Sequence, residues 1–205
     1  MGYREVNWSL PRDQQVIHAR QNIFDGTREK TPSMGWMFVP LTEYHGGGAA
    51  ATIEPLKDHL AHYGKMLASN LGNGVQACYR GPRLYDTDST RDLVKGWVDF
   101  YKTHRDILES DVIHTSSRRA DGRDLDWMFH ANPNLEEKGF LMLFNPTGRT
   151  IKKEIRLSVY YTGLTDRVRL VDEAGNRTTI RISRDYMITL PVEVKAGGET
   201  WFVLE

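Results

Sequence analysis

Leu93-Val94-Lys95-Gly96-Trp97-Val98-Asp99-Phe100-Tyr101-Lys102-Thr103-His104-Arg105-Asp106-Ile107-Leu108, followed by Glu109-Ser110-Asp111, is the stretch on which the fold turns. Leu93, Val94, Trp97, Phe100, Tyr101, His104, Ile107 and Leu108 recur at helical spacing and share one face. Ser89 stands ahead of them as an N-cap candidate. The chain changes character where this helix ends. Upstream it alternates helices with short apolar strands, and downstream of Asp111 it is almost purely β.

Upstream, Leu10-Pro11-Arg12-Asp13 opens a helix, with Ser9 as N-cap and Pro11 where a missing N–H does no harm. Val16, Ile17, Ile23 and Phe24 make its stripe, and Gly26 is expected to stop it. Gly35-Trp36-Met37-Phe38-Val39-Pro40-Leu41 is a continuous apolar run of strand length, as a parallel strand buried on both faces reads. After a glycine-rich connection, Leu56, Leu60, Tyr63 and Leu67 form a second helical stripe ending at Gly72 and Gly74. Val75-Gln76-Ala77-Cys78-Tyr79 is a second short strand. Helix, strand, helix, strand, helix is the rhythm of a parallel α/β fold. Two strands neither close a barrel nor make a stable open sheet, so this part is expected to recruit strands from elsewhere or to belong to a longer polypeptide.

Downstream, Phe140-Leu141-Met142-Leu143-Phe144 runs into the turn signal Asn145-Pro146-Thr147-Gly148. Ile151, Ile155, Leu157 and Val159 alternate as in a strand, Val168 and Leu170 continue the pattern, and Asp172-Glu173-Ala174-Gly175-Asn176 reads as a hairpin loop. Ile180 with Ile182, then Tyr186, Ile188 and Leu190, then Trp201 with Val203 supply the remaining strands. Six or so short strands with regular turns predict an antiparallel sandwich, with one wet face on its sheet and with Trp127 and Trp201 as core anchors.

Composition narrows the function classes. The 205 residues are 40% apolar, enough for a core, and 27 basic residues balance 27 acidic ones. No net field therefore argues for nucleic acid or an acidic membrane surface as partner. Cys78 is the one cysteine, which excludes an internal disulfide framework; it reads as a small buried hydrophobe. No apolar run approaches the roughly 20 residues of a membrane span, and the start carries no signal-peptide core. A soluble product of unassigned compartment is expected.

The helix Leu93–Leu108, the Glu109-Ser110-Asp111 that follows it and the all-β tail with Phe144-Asn145-Pro146 together resemble the end of α-galactosidase-like glycoside hydrolases. There a (β/α)₈ barrel finishes in a helix carrying a Phe-Tyr-Lys-x-x-Arg type of sequence, and a C-terminal β-sandwich follows. The stretch from Met1 through Trp36–Leu41 and Arg80-Gly81-Pro82-Arg83-Leu84-Tyr85-Asp86 is similar to large bacterial members of such a group. The resemblance implies an incomplete (β/α)₈ barrel segment, residues 1–112, and an antiparallel β-sandwich, residues 113–205. Residues 75–80 then resemble the eighth barrel strand, 35–41 the seventh, and 10–25 the sixth helix. The family's catalytic aspartates end the fourth and sixth strands, so the resemblance places both ahead of Met1 and no catalytic carboxylate is assigned.

Barrel sites lie at the carboxyl ends of strands, which singles out Thr42-Glu43-Tyr44-His45 and Tyr79-Arg80-Gly81-Pro82-Arg83. Glu43 is a candidate acid/base or partner for sugar hydroxyls, against the plainer reading of a solvated or ion-paired loop glutamate. Tyr44 and His45 are candidates to line a sugar subsite. Arg80 is a candidate to reach a polar substrate, against an ion pair to Asp86 or Asp88. Trp36 reads as core before it reads as a sugar platform. His45-Gly46-Gly47-Gly48 looks like an esterase oxyanion loop, yet no Gly-x-Ser-x-Gly elbow accompanies it, so the glycines read as a βα loop. His59 and His62 lack a third ligand for zinc, and no cofactor or metal is expected. Arg118, Arg119 and Arg123 with Asp121, Asp124 and Asp126 read as ion pairs between domains.

The expected function is thus the C-terminal portion of a glycosidase, inert alone because its carboxylates lie upstream. A carbohydrate substrate and either the missing barrel segment or self-association are the expected partners. The alternative is a non-catalytic carbohydrate-binding or accessory sandwich, for which Tyr160, Tyr161 and Tyr186 are the residues of interest. As strand neighbours, Tyr160 and Tyr161 would point to opposite faces.

Overall fold

A computed structural model of the chain describes residues 10–29, 36–40, 53–80 and 83–205, with 36–40 and 76–80 described by their backbone. The chain divides into two compact units, Met1–Arg105 and Asp106–Glu205.

In the first unit, helix α1 spans Arg12–Glu29. Its first turn is set by Pro11, whose carbonyl accepts from the Gln15 N–H at 2.9 Å, while the Gln15 amide donates to the Leu10 carbonyl at 2.8 Å. Val16, Ile23 and Phe24 are buried as the stripe requires, and Ile17 is half-buried. Gly26 does not stop the helix. A glycine costs an interior helical position about 1 kcal/mol relative to alanine. Burial of Ile23 and Phe24 beside it outweighs that, and the buried Thr27 hydroxyl donates to the Ile23 and Phe24 carbonyls at 3.0 and 3.1 Å. The expected cap Ser9 lies outside the described residues.

Strand β1, Trp36–Pro40, pairs in parallel with β2, Gln76–Arg80, from Trp36 opposite Gln76 to Pro40 opposite Arg80. Between them a 3₁₀ turn at Leu56–His59 feeds helix α2, Leu60–Leu71, which buries Tyr63, Met66, Leu67 and Leu71. Gly72 caps α2, and Gly74, at φ 72°, takes the left-handed conformation that turns the chain into β2.

Helix α3 spans Asp88–Thr103 and is capped by Thr87 rather than Ser89. The Thr87 hydroxyl accepts from the Thr90 N–H at 3.3 Å and the Thr90 hydroxyl accepts from the Thr87 N–H at 3.0 Å, a reciprocal box that satisfies two otherwise orphaned donors. The helix does not run unbroken to Leu108. His104 leaves helical geometry at φ −106°, ψ 19°, and a separate turn, α4, covers Arg105–Leu108. Val94 is buried, whereas Leu93, Trp97, Phe100 and Tyr101 are half-buried.

The second unit holds β3 (Asp111–Val112), β4 (Asp126–Ala131), β5 (Gly139–Phe144), β6 (Ile151–Ser158), β7 (Arg167–Asp172), β8 (Arg177–Arg181), β9 (Met187–Val194) and β10 (Glu199–Leu204). Six of them form one sheet in the order β3-β4-β5-β10-β7-β8, and β6 pairs with β9; every pairing is antiparallel. Because β3 pairs with β4, Asp111 and Val112 belong to this sheet, although the sequence boundary at 112 leaves them in the first part.

One core joins the two sheets. Leu141 and Leu143 of β5, Ile155 and Leu157 of β6, Val168 and Leu170 of β7, and Ile188, Leu190, Val192 and Val194 of β9 are buried in a single cluster. Each such side chain contributes about 1.5–3 kcal/mol by leaving water. The wet face expected from alternation is real on β6 and β9, where Lys152 meets Glu193 at 2.9 Å on the exposed side. It is absent on β5, where all six residues are buried. At Gly139 an added Cβ would lie 3.0 Å from the Phe129 ring, so the two strands approach more closely there than a side chain permits. Pro191, opposite Glu154, sits in the middle of β9, whose other edge carries no partner strand among the described residues.

The turns are held by side chains. Asn145, 2% exposed, donates its amide to the carbonyls of Arg149, Val194 and Lys195 at 2.7–2.9 Å, and its side-chain oxygen accepts from the Thr147 N–H and hydroxyl. It thereby binds the β5–β6 turn to the end of β9. Asp172 organises the β7–β8 hairpin, accepting from the N–H groups of Ala174 and Asn176. Tyr160 and Tyr161 occupy a 3₁₀ turn, Tyr160–Thr162, not a strand. The turn closes because Thr162 donates to the Val159 carbonyl and Gly163 takes φ 74°. Of the arginine–aspartate cluster, Arg118 pairs within this unit with Asp121 at 2.8 Å and with Asp124 at 3.6 Å, and Lys153 also reaches Asp124. Trp127 and Trp201 are half-buried; the Trp127 ring packs on the core and its indole N–H donates to the Ser116 carbonyl.

Candidate functional site

The parallel register of β1 and β2 sets the location of the candidate site. Pro40 and Arg80 face each other across the ladder, so both strands end at the same edge. Carboxyl ends of parallel strands are where α/β folds place ligands, because side chains from adjacent loops converge there. Arg80 is thus the last residue of β2 at this edge. Glu43, Tyr44 and His45 lie outside the described residues.

Beyond β2 the chain is pinned from residue 83 onward. The Tyr63 hydroxyl donates to the Leu84 carbonyl at 3.0 Å, and Arg83 pairs with Glu54 at 3.3 Å. The Asp86 carboxylate accepts from the Lys57 N–H at 3.1 Å and from the Thr90 hydroxyl at 3.0 Å. Desolvation pushes the Asp86 carboxyl upward, but these hydrogen bonds prevail and hold it below the usual carboxylate range. Asp88 pairs with Arg91 at 3.1 Å. Asp86 and Asp88 thus hold the start of α3, and the Arg80 side chain lies outside the described residues.

A glycosidic acid needs a carboxyl that keeps its proton near neutrality, which means a raised pKa. Among the described residues every resolved carboxyl shift runs the other way: Asp86, Asp121, Asp124, Asp172 and Asp185 are all lowered. These groups organise turns and ion pairs. Among the described residues no group of three or more His, Cys, Asp or Glu is placed to hold a metal ion, and no helix is long and apolar enough to cross a membrane.

His59 and His62 serve the α1–α2 contact. An Arg12 guanidinium nitrogen lies 3.5 Å from His59 Nε2. Burial, assisted by the positive charges of Arg12, His59 and Lys65, pulls the His62 imidazole down to about 4, so it is neutral at physiological pH.

Sequence reasoning missed a groove of about 740 Å³ in the second unit, lined by Leu170, Asp172, Ile180, Thr189, Pro191 and Phe202 among others. It lies along β8 and β9, and its lining comes from four strands, β7, β8, β9 and β10, and the β7–β8 hairpin, so no local motif could have signalled it.

No protein-family model matches the chain, and no curated protein matches it in sequence. Solved structures do match. A GH27 β-L-arabinopyranosidase from Geobacillus stearothermophilus, crystallised with arabinose, aligns at a TM-score of 0.57 and 12% identity over 96% of this chain. AmyP in complex with maltose aligns at 0.54 and 9% identity over 94%, and a Bacteroides fragilis protein assigned to the α-galactosidases at 0.51 and 14% identity over 93%. The chain spans 43%, 48% and 37% of those three proteins. At these identities the likeness is one of fold: the chain folds like part of α-galactosidase-like glycoside hydrolase structures.

Proposed function

We propose that the chain is the carboxyl-terminal part of an α-galactosidase-like glycoside hydrolase, comprising the last elements of a (β/α)₈ barrel, residues 1–105, and an accessory β-sandwich, residues 106–205. One observation carries this reading. A helix, a strand, a helix, a parallel partner strand and a helix precede eight antiparallel strands, and that whole order aligns over 96% of the chain with less than half of an arabinopyranosidase. The reaction of the whole enzyme is hydrolysis of a glycosidic bond, with retention, through a carboxylate nucleophile and a separate acid/base. Both groups come from barrel strands upstream of Met1. The segment supplied here contributes Arg80, at the carboxyl end of β2, together with Glu43, Tyr44 and His45, as groups that contact the sugar. Among the described residues every shifted carboxyl is lowered, which supports a described segment without its own proton donor.

Two assays test this. The purified 205-residue chain should not turn over aryl α-galactosides, aryl α-glucosides or aryl β-L-arabinopyranosides. The same chain joined to the coding sequence upstream of it should hydrolyse at least one of them, and Arg80→Ala in that longer protein should lower kcat/KM roughly 10- to 100-fold, as loss of one charged sugar contact does. Turnover by the short chain, abolished by Glu43→Gln, would overturn the reading.

A further inference from the structure

At the end of the β6–β9 ladder three tyrosines meet. Tyr160 lies 5.1 Å from Tyr186 at an interplanar angle of 90° and 5.3 Å from Tyr161 at 89°. Tyr160 and Tyr161 are 57% and 54% exposed, the two most exposed large hydrophobic side chains among the described residues. The 3₁₀ turn brings both rings to one place, where a strand would have separated them. Tyr186 is held on the other side by its carbonyl, which accepts from the Val159 N–H at 2.8 Å, and by its N–H, which donates to the Ser183 carbonyl at 3.0 Å.

Tyr186 is the one non-glycine residue at positive φ among the described residues, at 59°. A bulky side chain is rarely tolerated there, whereas glycine would adopt the same backbone without steric cost. The ring packs partly against the core of the unit, and the part it leaves outside completes the corner. Strained side chains of this kind gather at ligand-holding sites.

Size and chemistry select the occupant. Each tyrosine has roughly 150–250 Å² to bury, so two half-exposed rings and the edge of a third offer about 200–300 Å². A stable protein contact takes about 800 Å² from each partner, several times more. The rim is polar: Arg156 and Asp185, both well exposed, face each other at 3.6 Å beside Tyr186. A ring face attracts the positively polarised C–H bonds of a sugar, and phenol, guanidinium and carboxylate groups serve its hydroxyls. Perpendicular rings offer a face and an edge together, which fits a single puckered ring at a chain end better than the flat side of an extended chain.

We propose that Tyr160, Tyr161 and Tyr186 form a sugar-binding surface on the all-β unit that takes a terminal pyranose residue of an oligosaccharide or branched polysaccharide. The inference deepens the glycosidase reading, on which its choice of ligand rests. Binding by the full 205-residue chain is measured by affinity gel electrophoresis in galactomannan, whose branches end in single galactosyl residues, and in amylose, which presents few chain ends.

Galactomannan should retard the chain more than amylose does. Tyr160→Ala and Tyr161→Ala should each weaken the retardation roughly tenfold, and Tyr160→Phe, which keeps the ring, should stay within about threefold of the parent. Both alanine variants remove exposed rings, so an unchanged circular dichroism melt serves as the folding control. Three outcomes would overturn the inference: no retardation by either polysaccharide, retardation indifferent to Tyr160→Ala and Tyr161→Ala, or light scattering showing a dimer that Tyr160→Ala dissociates. Turnover by the complete enzyme is read separately, so failure of the hydrolase reading and failure of this surface are distinguishable.

Discussion

The two units solve the same problem, pairing backbone polar groups out of water, with opposite degrees of completeness. The second unit does so within itself: eight strands, two sheets and one shared cluster, with its turns closed by Asn145 and Asp172. Among its described residues the first has a ladder of two parallel strands, a number that is marginal for any sheet and unusual for a parallel one. Its helices are specified unevenly: Thr87 caps α3 and Gly72 closes α2, while α1 runs on through Gly26. A chain can thus encode helices clearly in a region whose described sheet is small.

Separating the units should break the comparison most visibly. Residues 106–205 produced alone should retain a cooperative thermal transition and dispersed amide NMR signals, whereas residues 1–105 alone should show neither, because five-residue parallel strands without further partners do not hold a fold. A cooperative melt of the 1–105 piece would remove the contrast. Asn145→Ala comes next in size. It strips three carbonyls of their donor, that of Val194 buried and those of Arg149 and Lys195 partly so, and should lower the urea-unfolding free energy of the second unit by about 2 kcal/mol, leaving the first unit's helical signal intact.

Acid should act in the reverse direction, on the first unit. His62 has its folded pKa depressed to about 4 against the ordinary 6.5, so the unfolded chain binds the extra proton more readily. Stability from the neutral imidazole is full above pH 6.5 and declines as the pH falls from 6.5 towards 4, by about 1–2 kcal/mol after allowance for partial exposure. Thermal melts followed at Trp97 across that window should show the loss, and His62→Leu should flatten it. The smallest effect is expected from Thr87→Ala, which removes the α3 cap and should cost about 1 kcal/mol in the same melts.

What was legible in the sequence follows from which signals survive burial. Alternation announced β6, β7 and β9 because each keeps one face in water. It could not announce β4, whose Asp-Trp-Met-Phe-His-Ala is buried at five of six positions, Asp126 and His130 included. β3 is two residues long, below any periodicity. Thr87 was passed over as a cap because its partner in the box is a threonine rather than the usual glutamate or glutamine. The tyrosine corner was misread as a strand because Gly163 and Thr162, which bend the chain there, act through backbone geometry. Of the candidate site, the register supplies the position of Arg80 in the ladder and the common edge at which both strands end. That edge depends on parallel pairing, which the uninterrupted apolar runs did indicate.

Pro191 carries a consequence for life at high concentration. An exposed strand of eight residues with alternating apolar side chains is a template on which a neighbouring molecule can extend a ladder, the first step towards fibrils. Proline has no N–H to offer an incoming strand, so growth along β9 meets a gap at its fifth residue. The core-facing alternation that builds the fold is thereby kept from becoming a nucleus for aggregation.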